Sequence, residues 1–69
     1  MEMKGLREIR KKKGYSQVKV SMDLHMSRET LSRYETGARN PDLETVVKLS
    51  EYFIVSMDYL IRGEEFKKR

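Results

Sequence analysis

The chain is short and basic, and these two properties limit what it can be. It has 69 residues, with 15 Lys and Arg against 11 Asp and Glu, and it has no Cys. A chain of this length forms one domain with a small core. Without Cys it has neither disulfides nor thiolate metal ligands, and the single His25 cannot build a metal site alone. We therefore expect no metal and no cofactor.

The charge and the distribution of apolar residues exclude further classes. The net charge is +4 and the pI is about 9.5, which is typical of nucleic-acid-binding domains but does not establish one. No apolar stretch approaches the roughly 20 residues of a membrane span. No apolar core follows the basic N-terminus, so no secretory signal is predicted. We expect a cytoplasmic protein.

Apolar residues recur at helical spacing, and this pattern predicts an all-α fold of five helices. The predicted helices cover about residues 4–13, 16–24 and 27–35, then one from Pro41-Asp42 through Phe53 and one from Ser56. Ser16 and Ser27 are good N-caps. We expect chain breaks at Gly5, Gly14, Gly37, Asn40-Pro41 and Gly63. The domain is expected to cover residues 1–63, followed by a short charged tail, 64–69.

The inward faces follow from the same spacing. The residues expected to face the core are Leu6, Ile9, Val20, Leu24, Leu31, Tyr34, Leu43, Val46, Val47, Ser50, Phe53, Met57, Leu60 and Ile61. Helices 16–24 and 27–35 are joined by a tight link at His25-Met26. These helix lengths and this short link match the dimensions of a helix-turn-helix. The second of these helices is then expected to project from the body of the domain.

A helical-wheel projection separates the two faces of helix 27–35. At 100° per residue, Leu31, Tyr34 and Glu35 point inward. The outward face consists of Arg28, Glu29, Ser32 and Arg33, with Thr30 at its edge. Arg pairs with guanine, Glu accepts from cytosine and Ser does either. The same composition also describes an ordinary solvated helix with local pairs such as Glu29–Arg33, so the residue types alone leave both interpretations open.

The arrangement of motifs over the chain resembles the Cro/CI-type (XRE, phage-repressor-like) helix-turn-helix family. The residues in the family's spacing are Gln17, Val20, Ser21, Leu24, Met26, Ser27, Leu31, Tyr34, Glu35 and Gly37. Flanking segments 6–10, 41–45 and 56–60 extend the resemblance over about residues 4–63. It implies a compact five-helix, lambda-repressor-like bundle that binds double-stranded DNA as a transcriptional regulator, with repression as the expected direction.

The resemblance also implies roles for individual residues. The base-reading positions are Arg28, Glu29, Ser32 and Arg33, and the phosphate-contacting positions are Ser16, Gln17, Lys19, Ser27, Thr30, Arg39 and Asn40. Gln17 is expected to brace the recognition helix as well. Arg10 and Glu35 resemble a partly buried structural ion pair. The dimer contact maps to Phe53, Val55, Met57 and Tyr59. The expected ligand is a roughly palindromic operator bound by a homodimer, without a small-molecule effector domain.

This sequence departs from the family's pattern at three positions. His25 stands where the turn usually has Gly, and it is expected to be a strained turn residue rather than a pH switch. Ile54 replaces a common Gly after the fourth helix. Lys19 occupies the place of a capping-box Glu, which weakens the start of its helix but brings a cation toward DNA.

Other classes of function remain to be weighed. No catalytic residues are expected, because the chain has no Cys, no His pair and no Gly-rich phosphate loop. An antitoxin-type module that binds another protein is the stronger alternative, with an exposed apolar patch expected at Val18, Met22, Tyr59 and Phe66. A membrane-surface helix over residues 1–13 is disfavoured by its small apolar face.

Overall fold

In the described part of the chain, residues 3–63 of a computed structural model, all regular secondary structure is helical. This part contains five helices, α1 (Lys4–Lys12), α2 (Gln17–Asp23), α3 (Arg28–Thr36), α4 (Leu43–Phe53) and α5 (Met57–Arg62). The all-α prediction is confirmed, and the predicted helices agree with the observed ones to within one or two residues. The predicted tail, 64–69, and Phe66 within it lie outside the described residues.

Local capping explains why four of the helices begin where they do. The side chains of the N-cap residues Ser16, Ser27, Asp42 and Ser56 each accept a hydrogen bond from the backbone N–H three residues later. Such caps satisfy N–H groups that have no partner within the helix. At the other end of α3, Gly37 takes the left-handed conformation, with φ of 86°, which glycine adopts without steric cost.

The core lies between all five helices. Its buried members are Met3, Leu6, Val20, Leu31, Tyr34, Val46, Leu49, Phe53 and Leu60. The predicted inward stripe of α4 was wrong at Leu43, which is 72% exposed. Leu43 is the first residue of α4, so its side chain lies beyond the edge of the core. Met57, the first residue of α5, is 42% exposed for the same reason.

Gly5 is where α1 makes close contact with α5. It is the second residue of α1 rather than a chain break, and the prediction of a break there was wrong. A Cβ atom at Gly5 would lie 1.8 Å from the backbone carbonyl oxygen of Tyr59. Only a residue without a side chain permits this approach. The contact brings Tyr59 into the interior, where it is 3% exposed.

A polar link and an aromatic cluster hold α2 against α4. The Tyr52 hydroxyl donates to Asp23 Oδ2 at 2.6 Å, and Lys19 Nζ donates to the same oxygen at 3.0 Å. The Tyr15 ring meets those of Tyr52 and Phe53 at centroid distances of 6.1 and 6.4 Å. These contacts hold α2, the first helix of the helix-turn-helix, against α4.

Two turn residues other than glycine have a backbone conformation in the left-handed region. His25, between α2 and α3, has φ of 59°, and Ile54, after α4, has φ of 58°. The expected strain at His25 is therefore present. Ile54 departs further from the usual preference, because it is β-branched and left-handed conformations of such residues are rare.

Candidate nucleic-acid interface

The predicted outward face of α3 is exposed. Arg28, Glu29 and Arg33 are exposed and Ser32 is half-buried, whereas the opposite face of the helix is buried through Leu31, Tyr34 and Glu35. The orientation of α3 predicted from the sequence is confirmed. The side chains with hydrogen-bonding groups thus point away from the core along two turns of one helix.

A buried ion pair fixes α3 to α1. Arg10 Nε donates to Glu35 Oε2 at 2.7 Å, and Arg10 Nη2 donates to Glu35 Oε1 at 3.2 Å. The Arg10 side chain is 11% exposed and that of Glu35 is 2% exposed. The remaining terminal nitrogen of Arg10, Nη1, donates to the carbonyl oxygen of Tyr15 at 3.0 Å. This two-point contact restricts both the position and the rotation of α3.

Gln17 extends this contact to the surface. Its Nε2 donates to Glu35 Oε1 at 3.1 Å, and its Oε1 accepts from Arg28 Nη1 at 3.1 Å. A continuous chain of hydrogen bonds therefore runs from Arg10 through Glu35 and Gln17 to Arg28. Each amide atom of Gln17 has one partner in this chain, which defines the orientation of its side chain. We name this chain the Arg10–Arg28 relay.

The other outward cation of α3 has a different partner. Arg33 Nη2 donates to Glu29 Oε2 at 3.2 Å, one turn earlier on the same helix. Arg28 is bonded to a neutral amide and keeps its whole positive charge, whereas the charge of Arg33 is offset by a carboxylate. The two arginines are therefore electrostatically distinct although both are exposed.

An open cleft beside the relay brings several predicted site residues together. It lies between α1, the start of α2 and α3, and it is lined by Arg7, Arg10, Ser16, Gln17, Val18, Arg28, Ser32, Glu35 and Thr36. Arg7 and Thr36 were missing from the predicted site. Arg7 lies one turn before Arg10 on α1, so helical spacing from the ion pair was a signal that would have identified it.

Two candidate phosphate-contacting residues, at the starts of α2 and α3, serve as the N-caps of these helices. Ser16 Oγ accepts from the Lys19 N–H at 3.0 Å, and Ser27 Oγ accepts from the Thr30 N–H at 3.0 Å. Ser27 also donates to the Thr30 hydroxyl at 2.8 Å. Lys19 is exposed and lies 4.9 Å from the Tyr15 ring centroid. Its hydrogen bond to Asp23 raises the pKa of Lys19, so the side chain remains a cation.

The predicted contacts after α3 are also on the surface. Arg39 and Asn40 are exposed, and the guanidinium of Arg39 lies 6.0 Å from the Tyr34 ring centroid. The backbone N–H of Arg39 donates to the carbonyl oxygen of Arg33 at 3.3 Å. The segment after α3 is therefore held close to the end of the outward face.

The structure corrects half of the predicted dimer surface. Phe53 is 1% exposed and Tyr59 is 3% exposed, because both face the core of their own chain. Of the four predicted anchors, Val55 is half-buried and Met57 is 42% exposed. Beside them Ile54, which lies in the predicted segment from Phe53 to Tyr59 but was not named as an anchor, is 83% exposed.

The apolar patch expected for a protein-interaction module is smaller than predicted. Val18 and Met22 on α2 are 51% and 69% exposed, but the burial of Tyr59 removes it from the patch. Across residues 3–63, no group of three or more His, Cys, Asp or Glu is placed to hold a metal ion. Within the same range, no helix is long and apolar enough to cross a membrane.

Comparison with known proteins places this arrangement in a family. The family model described as helix-turn-helix matches residues 6–60. The chain is 41% identical over 66 residues to the HTH-type transcriptional regulator ImmR of Bacillus subtilis, covering 96% of this chain and 52% of that protein. It is 41% identical over 58 residues to the SPbeta prophage-derived regulator YonR of the same species, covering 84% of this chain and 54% of the relative.

A third relative carries a different functional name. The HTH-type transcriptional activator BcrR of Enterococcus faecalis is 33% identical over 60 residues, covering 87% of this chain and 29% of that protein. The chain thus spans about half the length, or less, of these curated relatives. The five helices, the orientation of α3 and the match over residues 6–60 agree. The chain belongs to the helix-turn-helix family of Cro/CI-type DNA-binding transcriptional regulators.

Proposed function

We propose that this chain binds a specific double-stranded DNA operator by placing α3 in the major groove. The observation that carries the proposal is the outward face of α3, with Arg28, Glu29 and Arg33 exposed and Ser32 half-buried. The rotation of this helix is fixed by the Arg10–Glu35 pair. The proposed role is regulatory and non-catalytic. The proposed location is the cytoplasm, as composition leads us to expect.

The chemistry of these side chains fits recognition of base edges. Arg28 and Arg33 can each donate two hydrogen bonds to guanine O6 and N7, and Glu29 can accept from cytosine N4. A good bidentate pair of this kind discriminates against the wrong base by about 1–3 kcal/mol. Side chains held by a rigid frame lose less conformational entropy on binding, because their orientation is already restricted.

The surrounding cations and polar groups are proposed to contact phosphates. Arg39 and Asn40 follow α3, and Arg7 lines the cleft beside Gln17. Lys19 lies in the first turn of α2, but its charge is offset by Asp23 at 3.0 Å, so it contributes less net positive charge than Arg39 or Arg7. Contacts of this kind position the protein on the duplex and supply affinity for any sequence, whereas base contacts supply the choice of site.

We propose that two copies bind a roughly palindromic operator. In helix-turn-helix dimers the half-sites lie about 34–36 Å apart, which is one turn of DNA. Because Phe53 and Tyr59 are buried, the proposed dimer surface is now Ile54, Val55 and Met57. Ile54 and Val55 belong to the link between α4 and α5, and Met57 is the first residue of α5.

The direction of regulation is proposed to be repression, as the sequence resemblance implies. The name of one relative, a transcriptional activator, makes activation the specific alternative. A reporter gene placed behind the selected operator distinguishes them, since repression lowers and activation raises its expression when the chain is produced.

The proposal is tested by selecting bound sites from random duplex DNA and then measuring affinity for the enriched sequence. We expect an enriched, roughly palindromic consensus. Replacing Arg33 by Ala should relax discrimination at one base pair per half-site, whereas Lys48→Ala on the exposed face of α4 is a control that removes the same charge elsewhere. Recovery of random sequence from the selection, with equal binding of all duplexes, would contradict the proposal.

A further inference from the structure

The ion pair between Glu29 and Arg33 has a consequence for how the two residues act on DNA. Both lie on the outward face of α3, at i and i+4, and both are largely exposed, with side-chain exposures of 76% for Glu29 and 54% for Arg33. Residues at i and i+4 are neighbours on a helix surface, so a groove that α3 enters lies close to both of them. Glu29 is thus a carboxylate on the very face proposed to approach a polyanion.

We propose that Glu29 is a positioning residue that withholds Arg33 from the phosphates and directs it to a guanine edge. This inference rests on the proposed DNA-binding function. The recorded hydrogen bond uses one N–H of Arg33, at Nη2. A guanidinium has five N–H donors, so the others remain available for the two acceptors of guanine.

The carboxylate makes the phosphate backbone a poor alternative partner for Arg33. To reach a phosphate, Arg33 must either leave Glu29, at the small cost of separating an exposed i,i+4 pair, or carry the carboxylate toward like charge, which is the larger cost. A guanine edge is uncharged, so Arg33 can bind it while keeping its contact with Glu29. The pair therefore supports the choice of sequence and adds little to sequence-independent affinity.

Arg28 provides the contrast within the same helix. Its Nη1 is bonded to the neutral Oε1 of Gln17, so its positive charge is not offset and it can bind a base edge or a phosphate. The two arginines therefore have different proposed roles in binding. Arg28 contributes to both affinity and specificity, and Arg33 contributes chiefly to specificity.

The test measures binding to the selected operator and to a scrambled duplex over a range of salt concentrations. In Glu29→Gln the freed Arg33 gains a phosphate contact on the scrambled duplex. One added contact steepens the log–log salt dependence by about 0.9 and raises affinity about eightfold at 0.1 M salt. Affinity for the operator should rise less, and the ratio of operator to scrambled affinity should fall. Loss of a Glu29 contact with cytosine also lowers this ratio, so the steeper salt dependence is the deciding result.

Two comparisons isolate the action through Arg33. Glu51→Gln makes the same charge change at an exposed position of α4 and should leave the ratio unchanged. In an Arg33→Gln background, Glu29→Gln should not steepen the salt dependence, because no guanidinium is freed. An equal effect in both backgrounds would show that Glu29 acts by plain repulsion and would overturn the inference.

The outcomes also separate this inference from the proposed function. A wild-type chain that selects no operator contradicts the proposed function and removes the basis of the inference with it. A wild-type chain that prefers its operator, together with a Glu29→Gln variant that keeps the same preference and salt dependence, contradicts the inference alone.

Discussion

Arg10 and Glu35 are 25 positions apart in the chain, yet they form a two-point ion pair at 2.7 and 3.2 Å inside the domain. The pair connects α1 to α3, the helix that carries the outward face. Taking charges out of water is costly, and a buried pair offsets that cost only when its geometry is good. We therefore regard orientation of α3, rather than added stability, as its main contribution.

Breaking this pair from one side should be severe. Arg10→Met leaves Glu35 as a buried charge whose remaining side-chain donor within residues 3–63 is Gln17. Such a loss costs about 3–5 kcal/mol. A domain of this size commonly has a total stability of about that amount. We expect Arg10→Met to be largely unfolded at 25 °C by circular dichroism.

The control for this variant lies on the same helix. Arg7 is exposed on α1, and Arg7→Met should change the free energy of unfolding by less than about 0.5 kcal/mol. Urea unfolding followed by circular dichroism compares the two. If Arg10→Met unfolds at the same urea concentration as Arg7→Met, the pair does not have the proposed structural role.

The close contact at Gly5 predicts sensitivity to a single methyl group. In Gly5→Ala the new Cβ would approach the carbonyl oxygen of Tyr59 to 1.8 Å, so α1 and α5 must separate. Overpacking of this kind costs about 1–3 kcal/mol, despite the better helix propensity of Ala. Thermal unfolding should show a lower Tm for Gly5→Ala, while Lys11→Ala at an exposed position of α1 should unfold at nearly the wild-type temperature.

The left-handed conformation of Ile54 predicts a change in the opposite direction. A β-branched residue at φ of 58° is strained, and with 83% exposure its side chain gains little from packing within the chain. Ile54→Asn should relieve the strain and raise the free energy of unfolding by about 1 kcal/mol. His25→Asn should gain less, because His tolerates this region better.

The same variant bears on the proposed dimer. If Ile54 belongs to the surface between copies, Ile54→Asn should weaken self-association while it stabilises the single chain. Sedimentation at several protein concentrations measures the first effect and urea unfolding the second. An unchanged dimerisation constant in Ile54→Asn would remove Ile54 from the proposed surface.

The link between Asp23 and Tyr52 predicts a defined pH range for the packing of α2 on α4. Burial and the hydrogen bond to Asp23 raise the pKa of Tyr52 to about 12. This pKa is higher than that of Tyr52 in the unfolded chain. The contribution of the Tyr52 hydroxyl to stability is therefore complete below about pH 10 and is lost as the pH rises toward 12. Hydrogen bonds from Tyr52 and Lys19 lower the pKa of Asp23. The contribution of the Asp23 carboxylate to stability is therefore complete above the ordinary pKa of an aspartate and is lost as the pH falls through the lowered pKa.

Nuclear magnetic resonance titration of the Asp23 carboxyl group checks this link. In Tyr52→Phe the largest cause of the lowered pKa is removed, so the pKa of Asp23 should move up toward its ordinary value. Tyr34→Phe changes a tyrosine of α3 that lies in the core and serves as the control. An unchanged Asp23 titration in Tyr52→Phe would contradict the link in solution.

Local signals made much of the fold predictable. Ser16 and Ser27 act on the next turn of their own helices, and Gly37 ends α3 by its own conformational freedom, so each could be identified without knowing the rest of the chain. The orientation of α3 followed from 100° spacing because one of its faces is apolar. Residue types within one helix were sufficient for that inference.

The features that the sequence did not reveal depend on how separate helices approach one another. Tyr59 was assigned to the surface because the close α1–α5 contact at Gly5 has no counterpart in local spacing. The bond between Gln17 and Arg28 joins positions 11 residues apart and requires the angle between α2 and α3. Helical periodicity does not determine either relationship, whereas the resemblance to a family indicated that Gln17 braces α3.

The Arg10–Arg28 relay predicts that Gln17 affects base recognition without touching the base. In Gln17→Met the buried ion pair remains, but the hydrogen bond to the Glu35 carboxylate is lost, so the free energy of unfolding should fall by about 1.5–3 kcal/mol, the value of a hydrogen bond to a charged group. Arg28 loses its partner and becomes free to rotate. Discrimination at the base pair read by Arg28 should then fall by up to about 1–3 kcal/mol, measured with operators changed at single positions.

A double-mutant cycle separates this indirect effect from a direct phosphate contact. In an Arg28→Ala background, Gln17→Met should cause no further loss of discrimination at that base pair, because there is no guanidinium left to orient. A phosphate contact by Gln17 would instead lower affinity for every operator by the same factor in both backgrounds. Because only orientation of Arg28 makes the loss specific to one base pair, that pattern is the decisive measurement.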